Sequence, residues 1–338
     1  MARLDANEPC FGPFPAAVEA AREALGFAQR YPELGATLLE RLAARHDVPV
    51  EAIALGNGAD VLIGLVSQAV LRPGDEAVLP DPSYVSYAQD ALRVRAVPVA
   101  VPVLADGRLD LEGMTAAVGG ATRVVWVCNP NNPTGGMTSA DELERFLDAI
   151  PTEVLVVLDE AYAEFIDDPA YPDGAASFRS RPNVAVLRTF SKLFGLAGLR
   201  IGYLVGPRPL VDAVNALRHW YDVSDGAILA ATASLDDPAE IVRRRTVNRE
   251  RRERMVGILE SAGLAPLPSC ASYVVVPVAD ADALEAALRA HGVIVRPYPH
   301  ARGTFVRIAV GDDDDLRQLE GALYALSQGG TLPGVDPA

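Results

Sequence analysis

One lysine, Lys192, stands among 30 cationic side chains; the other 29 are arginine. Either cation serves on a solvated surface, so a chain that has replaced lysine everywhere else marks the one it keeps. Lys192 is a candidate for chemistry that a guanidinium cannot do, and imine formation with a carbonyl is that chemistry. A surface lysine that survived by chance is the competing reading. Lys192 closes the segment Arg188-Thr189-Phe190-Ser191-Lys192, with Gly195, Gly198 and Arg200 just beyond. A second segment, Asp159-Glu160-Ala161-Tyr162, follows an apolar run at 154–158. A carboxylate leaving a buried strand is costly unless it meets a cation or a donor. A third, Asn129-Pro130-Asn131-Asn132-Pro133-Thr134-Gly135, brings three asparagines to the end of the run at 124–128, more than a rigid turn needs. Gly56-Asn57-Gly58-Ala59-Asp60 begins like a dinucleotide fingerprint, but Val61 stands where the third glycine belongs, so a Rossmann site is not supported. Small residues opening a helix still leave backbone N–H groups free for a phosphate, with a plain tight turn as the alternative.

The elements that must position these segments alternate along the chain. Apolar runs at 52–55, 77–79, 94–97, 124–128, 154–158 and 184–187 predict strands, and helices are predicted at 16–25, 38–46, 59–71, 84–92, 111–118 and 140–149. Short apolar strands alternating with helices predict an α/β fold whose sheet is covered on both faces. Ligands in such sheets sit at the carboxyl ends of the strands, where the candidate segments lie. Past Gly202, predicted helices at 209–220, 227–235 and 239–261 precede strands at 272–278, 293–296 and 305–310, with helices at 283–290 and 314–326. The expected organisation is an N-terminal arm and helix (1–28), a large domain (29–208) and a smaller C-terminal α/β domain (209–338) with a loose tail from Gln328.

Taken together, the strand ends supply what pyridoxal 5'-phosphate requires: a lysine for a Schiff base, a buried Asp for a pyridinium nitrogen, hydroxyls and a helix start for a phosphate. The sequence resembles the fold type I aminotransferases, and within them the histidinol-phosphate aminotransferase family. The resemblance runs from Asp5-Ala6-Asn7-Glu8 through Arg30-Tyr31-Pro32, the segment 56–60, Pro82-Ser83-Tyr84, the segments 130–135, 159–162 and 188–203, to Arg307-Ile308-Ala309-Val310-Gly311. It implies a large domain with a mostly parallel sheet flanked by helices. It further implies that Lys192 carries the cofactor and later shuttles the substrate proton, that Asp159 keeps the ring nitrogen protonated, and that Tyr162 and Asn132 hydrogen-bond the phenolic oxygen. Tyr84 would stack on the ring. The amides of Ala59 and Asp60, the hydroxyls of Thr189 and Ser191, and Arg200 would hold the phosphate, joined by Tyr31 from the other subunit of a homodimer. Arg307, with Arg296 and Asn7 nearby, would bind the substrate's α-carboxylate or a phosphate in its place.

Some positions depart from that family's pattern. The arm reads Asn7-Glu8-Pro9-Cys10-Phe11, where a second Asn and a Tyr are more common; Trp220-Tyr221-Asp222 replaces a common Pro-Tyr pair; and Ser272 stands where Asn is usual. These are substrate-side positions, so they question histidinol phosphate as the substrate and leave the cofactor reading intact. The expected activity is ping-pong transamination between a small-molecule amino donor and a 2-oxo acid. A decarboxylase resembling threonine-phosphate decarboxylase is the alternative on the same fold. A cofactor-sensing regulator is more remote, since it would need an added DNA-binding domain.

Composition narrows the field. The net charge of −15 opposes a nucleic-acid partner held through phosphates. Three scattered cysteines without a CxxC pair argue against a disulfide framework or a zinc site. The polar start and the lack of long apolar runs predict a cytoplasmic protein without membrane contact. The arginine-rich stretch 243–254 is expected to be a solvated helix with Glu240–Arg244 and Glu250–Arg254 pairs, and the run 312–315 to cap a helix.

Overall fold

The computed structural model of the chain describes residues 1–33, 35–298, 303–328, 332 and 334. A two-residue strand, β1 (Ala2–Arg3), precedes a seven-stranded sheet of β2 (Ile53–Gly56), β3 (Glu76–Asp81), β4 (Val97–Pro102), β5 (Thr122–Cys128), β6 (Leu155–Asp159), β7 (Val184–Thr189) and β8 (Gly202–Val205). The order is β2-β8-β7-β6-β5-β3-β4, with β8 antiparallel to both neighbours and the remaining pairs parallel. β5, β6 and β7 carry continuous runs of buried apolar residues, mostly Val, Leu and Ala with Trp126, the composition of strands covered on both faces. Helices such as Ala59–Val70, Val85–Arg93 and Ala140–Ala149 supply the covers, the last begun by a Ser139–Glu142 capping box.

Beyond the sheet, β9 (Tyr273–Pro277), β11 (Arg296–Tyr298) and β12 (Phe305–Ala309) form an antiparallel sheet, and β10 (Val293–Ile294) pairs in parallel with β1. The arm predicted to be irregular thus opens as a strand, because Ala2 and Leu4 fill the core of the C-terminal sheet. β8 was not predicted: at four residues, starting on Gly202, it lacks the length of its neighbours. The predicted strand at 94–97 begins only at Val97, since the helix before it continues to Arg93. A helix at Gly174–Ser180 also lacked a sequence signal.

The core of the large sheet continues past residue 208. Helices Arg208–Leu217 and Asp225–Leu235 bury Val211, Val214, Ala227 and Ala231 against the two faces of the large sheet. Within the helix Pro238–Ser261, Ile241 joins the large core and Met255 the small one, so this helix contributes to both. Its arginines are not the solvated stripe expected. Arg244 is 3% exposed, pairs with Glu240 at 2.7 Å and lies over the rings of Phe11 and Phe14; Arg254 meets Asp313 rather than Glu250. Arg245 reaches the Glu164 carbonyl, so the helix ties both cores and the arm together. Asp312 caps the helix Asp313–Ser327 as expected. Most of the tail expected from Gln328 lies outside the described residues.

Candidate active site

Register brings the candidate segments to one edge of the sheet: Cys128 lies opposite Asp159, Asp159 opposite Leu187, and Thr189 opposite Gly202. Two glycines allow the helix Ala59–Val70 to start against that edge. A Cβ on Gly202 would lie 2.7 Å from the Ala59 nitrogen and 2.9 Å from the Arg188 carbonyl oxygen. Gly58, the residue before the helix, has φ +84°, and a Cβ there would lie 2.5 Å from the Arg200 guanidinium. The helix N-terminus, the strand ends and Arg200 therefore converge around one cavity of about 400 Å³. A larger cavity of about 700 Å³ lies between the helices Leu111–Ala116 and Ala140–Ala149, and none of the predicted site residues lines it.

Lys192 lines the 400 Å³ cavity, and its Nζ donates to the Asn7 carbonyl at 3.1 Å and lies 5.4 Å from the Tyr162 ring centre. Burial, then the Arg307 charge, lower its pKa to about 8, while Asp159 and Glu8 oppose them. Asp159 is 5% exposed; Tyr87 donates to its Oδ2 at 2.6 Å and the Ala161 N–H to its Oδ1 at 3.1 Å. Burial holds this carboxyl above the ordinary range, with the Tyr87 hydrogen bond opposing. The Tyr162 hydroxyl accepts from Asn7 Nδ2 at 3.2 Å and is pushed up by burial.

Toward the helix start, the Thr189 hydroxyl donates to Ser191 Oγ at 3.0 Å and accepts from the Ser191 N–H at 3.1 Å. Tyr84 donates to Asp60 Oδ1 at 3.0 Å, and Ser86 donates to the same oxygen. Burial and the Asp60 charge push the Tyr84 hydroxyl up to about 12. The cavity lining thus gathers Asn7, Ala59, Asp60, Tyr84, Asn132, Asp159, Tyr162, Thr189, Ser191, Lys192 and Arg200 from the predicted set.

Three predicted residues lie elsewhere. Arg307, 6% exposed, reaches the cavity indirectly, donating to Asn132 Oδ1 at 2.8 Å, the Tyr298 hydroxyl at 3.0 Å and the Asp5 carbonyl at 2.8 Å. Arg296 pairs opposite Arg307 across the β11–β12 ladder, but it is exposed. Tyr31 is 79% exposed, stacked on Tyr221 with ring centres 4.7 Å apart, and does not line its own chain's cavity. The sequence reading missed Tyr87, Tyr298 and the backbone of Asp5. Tyr87 reads as one more apolar residue of an amphipathic helix, and a carbonyl carries no residue type to notice.

Two buried polar atoms at the site lack a partner, Asn7 Oδ1 and Arg307 Nε. Unsatisfied groups of that kind are costly and suit a ligand that brings the missing acceptor or donor. An amine of lowered pKa, a buried carboxylate, paired hydroxyls and a helix start together fit pyridoxal phosphate.

Comparisons with known proteins agree. The family model "Aminotransferase class I and II" matches residues 1–323. An aromatic amino acid aminotransferase of Thermobifida fusca is 42% identical over 317 residues, covering 93% of this chain and 87% of the relative. A histidinol-phosphate aminotransferase of Pseudomonas aeruginosa is 40% identical over 331 residues, 96% of this chain and 89% of its own. The crystal structure of the Sinorhizobium meliloti histidinol-phosphate aminotransferase in complex with pyridoxal-5'-phosphate superposes with a TM-score of 0.91 at 33% identity, covering 97% of this chain and 91% of that one. Among the described residues no helix is long and apolar enough to cross a membrane. The chain belongs to the class I and II aminotransferases and is a pyridoxal-phosphate-dependent enzyme of that fold and chemistry.

Proposed function

We propose that the 400 Å³ cavity holds the cofactor and that the donor it takes is an α-amino acid with an aromatic side chain. When bound, pyridoxal phosphate supplies an aldehyde for the amino group and a ring that accepts electrons. Lys192, its pKa lowered, would supply the amine for that aldehyde and would carry the proton of the substrate's Cα. Asp159 would accept a hydrogen bond from the ring nitrogen, and Tyr162 and Asn132 would supply hydrogen bonds to the phenolic oxygen. The amides of Ala59 and Asp60, with Thr189, Ser191 and Arg200, would hold the phosphate through charge-assisted bonds.

The observation that carries the donor class is Arg307. Its guanidinium is buried with no carboxylate in ion-pairing range among the described residues, and its Nε is unpartnered. A buried cation left without an anion is expensive, and a substrate carboxylate relieves it. The aromatic side chain is argued from the Thermobifida relative and from Phe11. That residue packs among Arg243, Arg244 and Arg251 instead of presenting a hydroxyl for a phosphate-bearing donor. The same reading takes the working unit as a homodimer in which Tyr31, exposed in its own chain, reaches the neighbour's phosphate. Arg296 is a peripheral member of the substrate site.

Mixing the holoenzyme with phenylalanine, tyrosine or histidinol phosphate, without acceptor, tests this. Phenylalanine and tyrosine should convert the bound cofactor's spectrum to that of its amine form at micromolar to millimolar donor. Conversion by histidinol phosphate alone would reject the carboxylate reading, and CO₂ release without the amine form would indicate a decarboxylase.

A further inference from the structure

Asp159 does not hold itself in place. A carboxyl group turns broadly about its last side-chain torsion, so its plane is fixed by what it bonds. Here each oxygen has one donor: the Ala161 N–H on Oδ1 and the Tyr87 hydroxyl on Oδ2, at 3.1 and 2.6 Å. The backbone donor comes with the fold; the hydroxyl depends on one side chain. That side chain is immobilised. Tyr87 is 0% exposed, its ring stacked on Trp126 at 4.9 Å and 11° and met edge-on by Tyr84 at 5.8 Å and 77°. Trp126, also fully buried, sits on β5 beside β6, which carries Asp159. A rigid stack thus aims one hydroxyl at one carboxylate oxygen from outside the cavity, since Tyr87 is not among the lining residues.

Burial and the Asp159 charge raise the Tyr87 pKa well above its ordinary value, so the hydroxyl stays protonated and donates. On the carboxyl side, this hydrogen bond is the largest influence opposing the effect of burial. We propose that Tyr87 is a positioning residue, which keeps Asp159 turned to accept a proton-bearing ring nitrogen. The proposal rests on the reading that Asp159 faces that nitrogen, and its test separates the two.

The test is equilibrium titration of the apoprotein with pyridoxal phosphate and with its analogue carrying carbon in place of the ring nitrogen. The preference for the nitrogen ring measures what Asp159 contributes. Tyr87→Phe keeps the stack and removes the donor. It should lower that preference on the order of tenfold to a hundredfold, the range for a hydrogen bond to a charged group, and leave analogue affinity within about twofold. The ¹⁵N resonance of the bound ring nitrogen should move toward its unprotonated position. Equal weakening toward both ligands, or no change in either, overturns the role. Asp159→Asn is the control. If it leaves the preference intact, the Asp159 reading fails; if it collapses the preference while Tyr87→Phe does not, only the Tyr87 inference fails. Should Tyr87→Phe not fold, 3-fluorotyrosine placed at position 87 gives a stronger donor of similar shape, and the preference should rise; an unchanged or lower value overturns the inference.

Discussion

Removing the Lys192 amine from the apoprotein should make it more stable at neutral pH, and the gain should fade as pH rises. Burial and Arg307 lower the Lys192 pKa from 10.5 to about 8, although Asp159 and Glu8 pull the other way. That fall corresponds to about 3 kcal/mol of preference for the neutral amine at about 1.4 kcal/mol per pH decade. The sign follows from proton counting. Below pH 8 both native and unfolded chains carry the proton, so the native state bears the whole penalty. Between about 8 and 10.5 the unfolded chain binds one more proton than the native, and stability rises with pH. Relative to Lys192→Met, wild type should therefore recover about 2 kcal/mol between pH 7 and about pH 9.5. The lost Asn7 hydrogen bond and the altered packing add only an offset that does not depend on pH. Urea unfolding of both apoproteins, followed by the fluorescence of buried Trp126, gives the difference at each pH. Titration of tyrosines and cysteines is common to both chains and cancels. A difference that stays flat across this range would refute the claim that the site holds a half-neutral amine near pH 8.

Two further outcomes test the phosphate cradle and the shared site. Gly58→Ala, which puts a Cβ against Arg200 at a φ of +84°, should weaken apoprotein binding of inorganic phosphate and of the cofactor by about tenfold, with circular dichroism unchanged. Unaltered phosphate affinity would remove Arg200 and the helix start from the cradle. A Lys192→Ala subunit paired with a Tyr31→Ala subunit leaves one site with both lesions and one with neither, so isolated mixed dimers should regain up to about half of wild-type activity if Tyr31→Ala alone is impaired. Mixed dimers no more active than the two single-mutant homodimers would show that Tyr31 does not act in trans.

Which parts of the fold were legible follows from where the physical signal lives. β5, β6 and β7 are continuous apolar runs between turn signals, a pattern that few other structures produce. β8 is short, and it is a strand because Arg188 and Thr189 present a ladder for it, which is tertiary information. β1 is an extreme case: Ala2 and Arg3 have no strand signal of their own, and β10, 291 residues away, makes them one. A break in the alternation of strands and helices marks a change of pattern, not of core, and the helices after Gly202 bury their apolar faces on the sheet that precedes them.

The site divides along the same line. Lys192, Asp159, Asn132 and Ala59 follow apolar strands or open a helix, so the elements that place them are themselves readable, and an α/β sheet turns that placement into convergence. Arg307 was found as a cation but not as a buried one, because its surroundings include Asp5 and Asn132 from two distant segments beside Tyr298 of the neighbouring strand. Tyr87 was invisible for the opposite reason. Its ring does what an apolar residue on a helix face is expected to do, and only the hydroxyl at the end of that ring matters for Asp159. Composition and periodicity describe whether a side chain is buried; they are silent about a single polar atom aimed from within the core. The residues that tune a reacting group are therefore to be sought among the buried tyrosines, histidines and tryptophans that a sequence reading assigns to packing.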